Sequence, residues 1–309
     1  MSAATTTELP LVASQTIADE SPARLALRRL RHHRSAQVGF VMLLMLTLTA
    51  LFADRIAPFD PLLPLENVVR RSTPCIHMLG CAAGEPQHLM GIDGNNRDLF
   101  SRVVYGSRLS LQVGITTVSV AILVGGLLGA LAGFLGGWPD DLIMRTLDIL
   151  MAFPSLLLAI SIVAVLGPGL INSLLAIAIT EIPVYARVVR AGVVSVKDHD
   201  FVTASRALGA SRMRLLFARV LPSSLTPLIV AGTLGIAGAI LSAAALSFLG
   251  LGAEFPIPEW GLMLGEERNS VFNAPHLVLF PGIAIMVTVL SFNLIGDGLR
   301  DALDPRLHR

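Results

Sequence analysis

The sequence predicts an all-α membrane protein with six transmembrane helices and both termini in the cytoplasm. Three observations support this prediction. The chain of 309 residues is 53% hydrophobic and only 15% charged, whereas a soluble domain carries about 25% charged residues. Six apolar runs approach the roughly 20 residues that cross a bilayer as a helix. Finally, the arginines are unevenly distributed between the loops that connect these runs.

The six apolar runs occupy residues 36–53, 112–136, 143–166, 171–194, 226–250 and 277–298. The third and fourth runs are the least apolar, because they contain four charged residues: Arg145, Asp148, Glu181 and Arg187. Arg145 and Asp148 are three residues apart, so we expect them to pair on one helix face. In the second run, small residues recur every four positions, as at Gly125, Gly129 and Gly133. This spacing predicts close packing, either inside the bundle or against a second subunit.

The basic residues predict how the chain is oriented in the membrane. Five arginines precede the first run: Arg24, Arg28, Arg29, Arg31 and Arg34. Cytoplasmic loops carry an excess of Lys and Arg, so this end is expected inside. Six spans then return the C-terminus to the cytoplasm, and most of the 23 Lys and Arg residues fall on the inner side. The predicted regions are a cytoplasmic tail at 1–35, a first transmembrane helix at 36–53, an extracytoplasmic loop with a lead-in helix at 54–111, a five-helix core at 112–298 that contains a cytoplasmic loop at 195–225, and a cytoplasmic tail at 299–309.

Several functions that need a catalytic site are excluded by motifs that the sequence lacks. The one lysine, Lys197, lies in VSVKDH and does not fit the phosphate-binding motif G-x-x-x-x-G-K-[ST]. The hydrolase motifs H-E-x-x-H and G-x-S-x-G are also absent. Residues 1–23 are polar and small, and no A-x-A-like site follows the first run, so no cleavable signal peptide is expected. We therefore predict a non-enzymatic chain that itself binds no cofactor and no metal, and that has no nucleic-acid partner.

The predicted cytoplasmic loop contains a short amphipathic helix. In HDFVTASRALGASRMRLLFARVLPSS, the residues Phe201, Ala204, Ala207 and Leu208 recur at helical spacing. Gly209 is expected to end this helix, because glycine is the usual residue after a helix C-terminus. A small-residue helix on the membrane surface suits the groove of another protein. The alternative is an arginine-rich loop that simply follows the charge distribution.

This segment resembles the EAA loop of ATP-binding-cassette importer permeases, which reads E-A-A-x-x-x-G followed by Leu-Pro. Here the sequence is Thr203-Ala204-Ser205-x-x-x-Gly209, and Leu221-Pro222 follows. The first position is Thr instead of Glu, and the third is Ser instead of Ala. Size and helicity are kept, but one carboxylate is lost, so an ion pair made by that Glu in relatives is not expected here.

Three further stretches resemble one branch of these permeases. HLMGIDGNNRDLFSRVVYGSRLSLQVG, at His88–Gly114, is similar to the signature H-x-x-G-T-D-x-x-G-R-D-x-x-S-R-x-x-Y-G-x-R-x-S-L. Ser247–Leu264 and Phe292–Leu307 resemble the same branch, the dipeptide- and oligopeptide-type "C" permeases of the peptide/nickel importer group. The resemblance runs from about Arg24 to Arg309. Asn96 replaces a glycine of relatives, and asparagine is the next best tolerated residue if the position needs a positive φ.

The resemblance implies a type I importer permease fold in a bacterial inner membrane. It also implies a sister permease, two cytoplasmic ATPases that bind ATP and Mg²⁺, an extracytoplasmic binding protein and surrounding membrane lipid. The implied substrates are di- and oligopeptides or related peptides such as glutathione; nickel chelates carried by the same machinery are the alternative. The implied ATPase-coupling helix consists of Thr203, Ala204, Ser205, Arg206, Ala207, Gly209 and Ser211.

Two rival classes of protein find less support in the sequence. An ATP-independent secondary transporter would need coupling-ion carboxylates in the membrane, and often inverted repeats. Glu181 is the one well-placed carboxylate, and no repeat is visible. An intramembrane enzyme would need a catalytic pair, and the sequence shows none.

Glu181 and Pro183 are candidates for the translocation pathway. An ionisable residue inside a span is costly and usually faces a cavity or a partner, and the proline loosens the helix locally. The alternatives are a structural pair between Glu181 and an arginine near the cytoplasmic end, or simple proximity to that end.

Four charged residues precede or begin the second span: Asp93, Arg97, Asp98 and Arg102. They are candidates for contact with the binding protein or the sister permease. The alternative is a salt-bridged helix start. For Glu259-Trp260-Gly261, the family resemblance implies a re-entrant turn outside the membrane between spans five and six, near the substrate exit from the binding protein.

The two cysteines, Cys75 and Cys81, lie in the predicted extracytoplasmic loop with His77 and His88. Thiols oxidise outside the cytoplasm, so a disulfide is favoured. Free thiols and a metal site remain the alternatives, since Cys and His are suitable ligands.

Overall fold

The computed structural model describes residue 28 and residues 33–77, 81 and 86–303. Within these ranges the regular elements are helices, accompanied by two isolated β-bridges, Cys75–His88 and Ile92–Asp98. The all-α prediction is therefore confirmed for the described residues. Much of the two predicted tails, 1–35 and 299–309, lies outside them, including Arg24, Arg29 and Arg31.

The helices are, in chain order, α1 (Arg34–Leu51), α2 (Ala53–Ile56), α3 (Leu99–Leu135), α4 (Gly137–Met151), α5 (Ser155–Leu166), α6 (Leu170–Val196), α7 (Asp200–Ala207), α8 (Arg212–Leu215), α9 (Leu221–Ser223), α10 (Thr226–Phe248), α11 (Trp260–Glu266) and α12 (His276–Leu303). A π-helical turn at Leu216–Val220 links α8 to α9, and a 3-10 turn at Arg268–Ser270 follows α11.

Four of these helices, α1, α3, α10 and α12, are long and apolar enough to cross a membrane, and the bent pair α4–α5 makes a fifth span if it is counted as one. The predicted fourth span, 171–194, corresponds to the 27-residue helix α6, which carries three charged residues: Glu181, Arg187 and Arg190. The structure thus supports four or five spans in the described chain.

The third predicted span, 143–166, is not one continuous helix. It is divided into α4 and α5, which meet at an angle of 89°. Pro154 explains the break, because proline lacks an N–H group and disfavours helical geometry in the residue before it. The expected pairing of Arg145 with Asp148 is also replaced: Asp148 accepts a hydrogen bond of 2.6 Å from Arg187 of α6.

Helix α3 begins earlier than its apolar run, because Asp98 caps it by accepting a hydrogen bond from the Ser101 backbone N–H. Its 37 residues correspond to a length of about 55 Å, which exceeds the roughly 30 Å of the hydrocarbon core. Helix α3 is therefore longer than a membrane crossing requires, and its first turns precede the apolar run that begins at residue 112.

The core of the bundle is the contact between α3 and α6. A Cβ atom added at Gly125 would lie 2.5 Å from the Ile182 carbonyl oxygen, and one at Gly133 would lie 2.9 Å from the Arg190 carbonyl oxygen. Larger side chains would separate the two helices. The close packing predicted from the small residues of α3 is confirmed, and its partner lies within the same chain.

Candidate functional site

Helix α7 follows α6 closely, since only residues 197–199 separate them. Val202 anchors the helix, because its side chain is 0% exposed and belongs to the main apolar core. Asp200 lies in the first turn and Arg206 in the last, which are the positions where each charge complements the helix dipole. Helix α7 is therefore attached both to the end of α6 through a short link and to the apolar core through Val202.

The end of α7 is determined by Gly209, which has φ of 84°. The Ala210 N–H donates to the Ser205 carbonyl over 3.1 Å, which satisfies one of the free carbonyls at the helix end. A side chain at this φ would be strained, since the left-handed region favours glycine. The predicted helix stop is confirmed.

The exposed surface of α7 carries several small side chains between the charged residues Asp200 and Arg206. Thr203, Ala204 and Ala207 are exposed, and the Leu208 side chain just beyond the helix is 89% exposed. The apolar face predicted from the sequence therefore points away from the bundle, and it is Val202 that faces inward. The sequence signal for Val202 was available, since it is the β-branched apolar residue of the segment.

The chain returns towards the bundle through α8, the π-helical turn and α9. Leu215, Leu216 and Val220 are buried there, while three arginines of the segment are exposed: Arg212, Arg214 and Arg219. Ser211 caps α8 by accepting from the Arg214 N–H over 3.4 Å. A cavity of about 320 Å³ separates this segment from the end of α3, and its lining comprises Phe134, Leu135, Arg206, Ala210, Arg212 and Leu215.

Helix α6 is fastened to its neighbours at the end that leads to α7. Arg190 donates two hydrogen bonds of 2.6 Å to Asp140 of α4. Lys197 donates to the Gly133 carbonyl of α3 over 3.0 Å. Together with the pair formed by Arg187 and Asp148, these bonds connect α3, α4 and α6 into one body.

The candidate pathway residues Glu181 and Pro183 lie in the middle of α6. Pro183 is buried, and Glu181 is half-buried. The arginines of α6 do not pair with Glu181 in the described chain, because Arg187 binds Asp148 and Arg190 binds Asp140. The proposed structural pair of Glu181 with one of these arginines is therefore not formed.

The four charged residues around the start of α3 are brought together and buried. Their exposed fractions are 4% for Asp93, 1% for Arg97, 1% for Asp98 and 0% for Arg102. Asp93 accepts hydrogen bonds of 2.8 Å from both the backbone N–H and the Nε of Arg97. Arg102 Nε lies 3.4 Å from the same carboxylate. Their burial favours the alternative of a salt-bridged helix start.

Sequence reasoning missed the partners of this ion-pair network. Glu266 of α11 lies 3.2 Å from Arg97 and 3.3 Å from Arg102. The neighbouring Glu267 accepts from the Gly94 N–H over 2.7 Å and from Arg71 over 3.1 Å. Burial raises the pKa of Glu266, and the two arginines oppose that shift.

The turn around Trp260 lies next to the network and is held by its own hydrogen bonds. The Trp260 indole N–H donates to the Val103 carbonyl over 3.0 Å, and Glu259 caps α11 by accepting from the Leu262 N–H over 2.7 Å. Burial raises the pKa of the Glu259 carboxyl, and the backbone hydrogen bonds that it accepts lower it. Asn96 has φ of 61°, as expected for a position where relatives carry glycine.

The loop before α3 is stapled by a disulfide between Cys75 and Cys81, whose Cα atoms are 5.3 Å apart. The Cys75 backbone forms a two-way bridge with His88. His88 in turn lies 2.9 Å from Asp98, the cap of α3. The disulfide and the start of α3 are thus connected through His88.

Comparison with protein families gives two matches. Residues 125–309 match the family described as "Binding-protein-dependent transport system inner membrane component". Residues 21–70 match the "N-terminal TM domain of oligopeptide transport permease C". The first match covers more than half of the chain, and together they include α1, α2 and all helices from α4 onward.

Several curated proteins are similar over almost the whole chain. The dipeptide transport system permease protein DppC of Alkalihalophilus pseudofirmus is 48% identical over 287 residues, which are 93% of this chain and 91% of that protein. The di/tripeptide transport system permease protein DppC of Pseudomonas aeruginosa is 47% identical, with 93% of each chain covered. The glutathione transport system permease protein GsiD of Pectobacterium atrosepticum is 41% identical over 97% of this chain and 95% of that protein.

Among solved structures, an inward-facing MetNI methionine ABC transporter is similar, with a TM-score of 0.53 and 18% identity. The match covers 66% of this chain and 96% of that chain. It shows that the chain has the type I importer permease fold. From the family match and the relatives, this chain belongs to the family of binding-protein-dependent transport system inner membrane components.

Proposed function

We propose that this chain is a permease subunit of an ATP-driven importer of short peptides. One observation carries the proposal: relatives named for dipeptide and di/tripeptide transport are 48% and 47% identical to this chain over 93% of its length. The relative named for glutathione transport is more distant, at 41% identity. Dipeptides and slightly longer peptides are therefore the favoured substrates, and glutathione belongs to the same chemical class.

The importer is proposed to contain a sister permease, two ATPase subunits and an extracytoplasmic binding protein. The ATPase subunits bind ATP and Mg²⁺, since the sequence of this chain lacks a phosphate-binding loop. We also propose six membrane crossings with both termini in the cytoplasm, in which α6 and the bent pair α4–α5 each cross once. This arrangement places α7 on the ATPase side.

Helix α7 is proposed to dock into a groove on one ATPase. Its exposed face carries Ala204, Ala207 and Leu208, and small side chains allow a partner to approach the helix closely. Closure of the ATPases on ATP displaces α7, and the body formed by α3, α4 and α6 tilts with it. The permease then alternates between inward and outward access, with ATP favouring the state that it binds more tightly.

The test is uptake by the complete transporter in liposomes with its binding protein. Radiolabelled dialanine is expected to accumulate only when ATP is supplied. It is also expected to stimulate ATP hydrolysis. Uptake of glutathione or of a nickel chelate with no uptake of dipeptides would replace the proposed substrate. Dipeptide uptake by this chain alone, without ATP, would show a secondary transporter instead and overturn the importer proposal.

A further inference from the structure

Glu181 is the charged residue in the middle of the bundle that has no partner in the described chain. It is the twelfth of the 27 residues of α6, about 16 Å along the helix from its start. It makes no hydrogen bond or ion pair with any residue that the structure describes, while Arg187 and Arg190 of the same helix are both paired. An unpaired carboxylate at this depth indicates a functional site.

A second polar group lies one helical turn further along. The Tyr185 side chain is 1% exposed, and its hydroxyl oxygen has no hydrogen-bond partner. This hydroxyl lies directly against Gly235 of α10. Residues four apart share one helix face, so Glu181 and Tyr185 place a carboxylate and a free hydroxyl on the same side of α6.

The chemistry of the Glu181 carboxylate indicates which ligand suits it. A carboxylate carries a negative charge and only accepts hydrogen bonds. The ligand that it suits is therefore a cation with several N–H donors, such as a primary ammonium with three.

We propose that Glu181 receives the α-ammonium group of a peptide during its passage, with the Tyr185 hydroxyl as its polar neighbour on the same helix face. The inference rests on the proposed peptide import, because a peptide with a free amino terminus carries this group. Glu181 is half-buried, so part of its side chain faces space that this chain does not fill. The carboxylate offsets the cost of moving the ammonium charge through the apolar region.

The test measures peptide binding to the purified permease–ATPase complex without the binding protein, whose own preferences are thereby removed. Equilibrium dialysis compares radiolabelled dialanine with N-acetyl-dialanine, with and without a non-hydrolysable ATP analogue. The wild-type complex is expected to bind dialanine at least about tenfold more tightly in one of the two states, as for a charge-assisted hydrogen bond. Glu181→Gln removes that preference, and Glu181→Asp retains most of it.

The matched control is Thr180→Val, since the Thr180 hydroxyl already donates to the Ile177 carbonyl over 2.8 Å and the residue is adjacent to Glu181. Equal binding of the two peptides by the wild-type complex overturns the inference, as does an unchanged preference in Glu181→Gln. Loss of the sister subunit from the Glu181→Gln complex shows an intersubunit ion pair instead. If wild-type liposomes transport no dipeptide at all, the proposed function itself fails.

Discussion

Truncation of Val202 is the substitution that most specifically weakens the attachment of α7. The side chain is 0% exposed within the main apolar core, whereas the opposite face of α7 is exposed. Val202→Ala removes two buried methyl groups. At about 0.8 kcal/mol for each buried carbon, with a further term for the cavity, the loss is about 2 kcal/mol.

This loss acts on the local equilibrium between docked and undocked α7. About 2 kcal/mol corresponds to roughly a thirtyfold change in that ratio. Amide exchange of residues 200–207 is therefore expected to accelerate by about that factor, while exchange in α3 and α10 is unchanged. Peptide-stimulated ATP hydrolysis is expected to fall, because a mobile α7 transmits less displacement.

The matched control is Val194→Ala in α6, where the same side chain is 41% exposed and little should change. Hydrogen exchange followed by mass spectrometry measures the first effect, and ATPase assays in liposomes measure the second. Unchanged exchange in α7 would refute the anchoring role of Val202. Faster exchange with full peptide-stimulated ATPase activity would refute the coupling role of the helix.

Three further predictions concern other parts of the molecule. Gly209→Val places a β-branched residue at a φ of 84°, which costs about 1–2 kcal/mol or more. We expect loss of peptide-stimulated ATPase activity with normal membrane insertion, measured by carbonate extraction. Full stimulation would contradict the role of this helix end. Glu266→Gln leaves two buried arginines short of a carboxylate and should lower the free energy of unfolding by about 3–5 kcal/mol. An unchanged thermal unfolding midpoint in detergent would show that the network is not stabilising. Cys75→Ser removes the disulfide that closes a short loop and should lower the free energy of unfolding by about 2 kcal/mol. Thiol labelling of the wild-type protein without reductant should find no free thiol, and two labelled cysteines would favour the free-thiol alternative.

The local features of α7 and of the start of α3 could be predicted from the sequence because their causes are local. Gly209 ends α7 since the chain needs a positive φ there, and Asp98 caps α3 through a backbone group three residues away. The glycines of α3 likewise predicted a close helix contact. The identity of α6 as the partner in this contact could not be predicted, because it depends on how the whole bundle packs.

The errors have different causes. The break at Pro154 was missed because apolar residues flank this proline on both sides, at 149–153 and 156–160. The partners of Arg97 and Arg102 lie in α11, more than 160 residues away, so no spacing rule could connect them. Val202 was assigned no role because the face with the small residues was assumed to be the one that matters.

The central claim is that α7 transmits ATPase closure to the bundle. The most direct measurement is to purify the tagged chain from its native membrane in mild detergent, and to map cross-links from cysteines placed at Thr203 and Ala207. The account predicts a second permease and two ATPase subunits in the complex, with both cysteines cross-linked to an ATPase. A chain that purifies without any ATPase, or cross-links that reach only other parts of the permease, would contradict it.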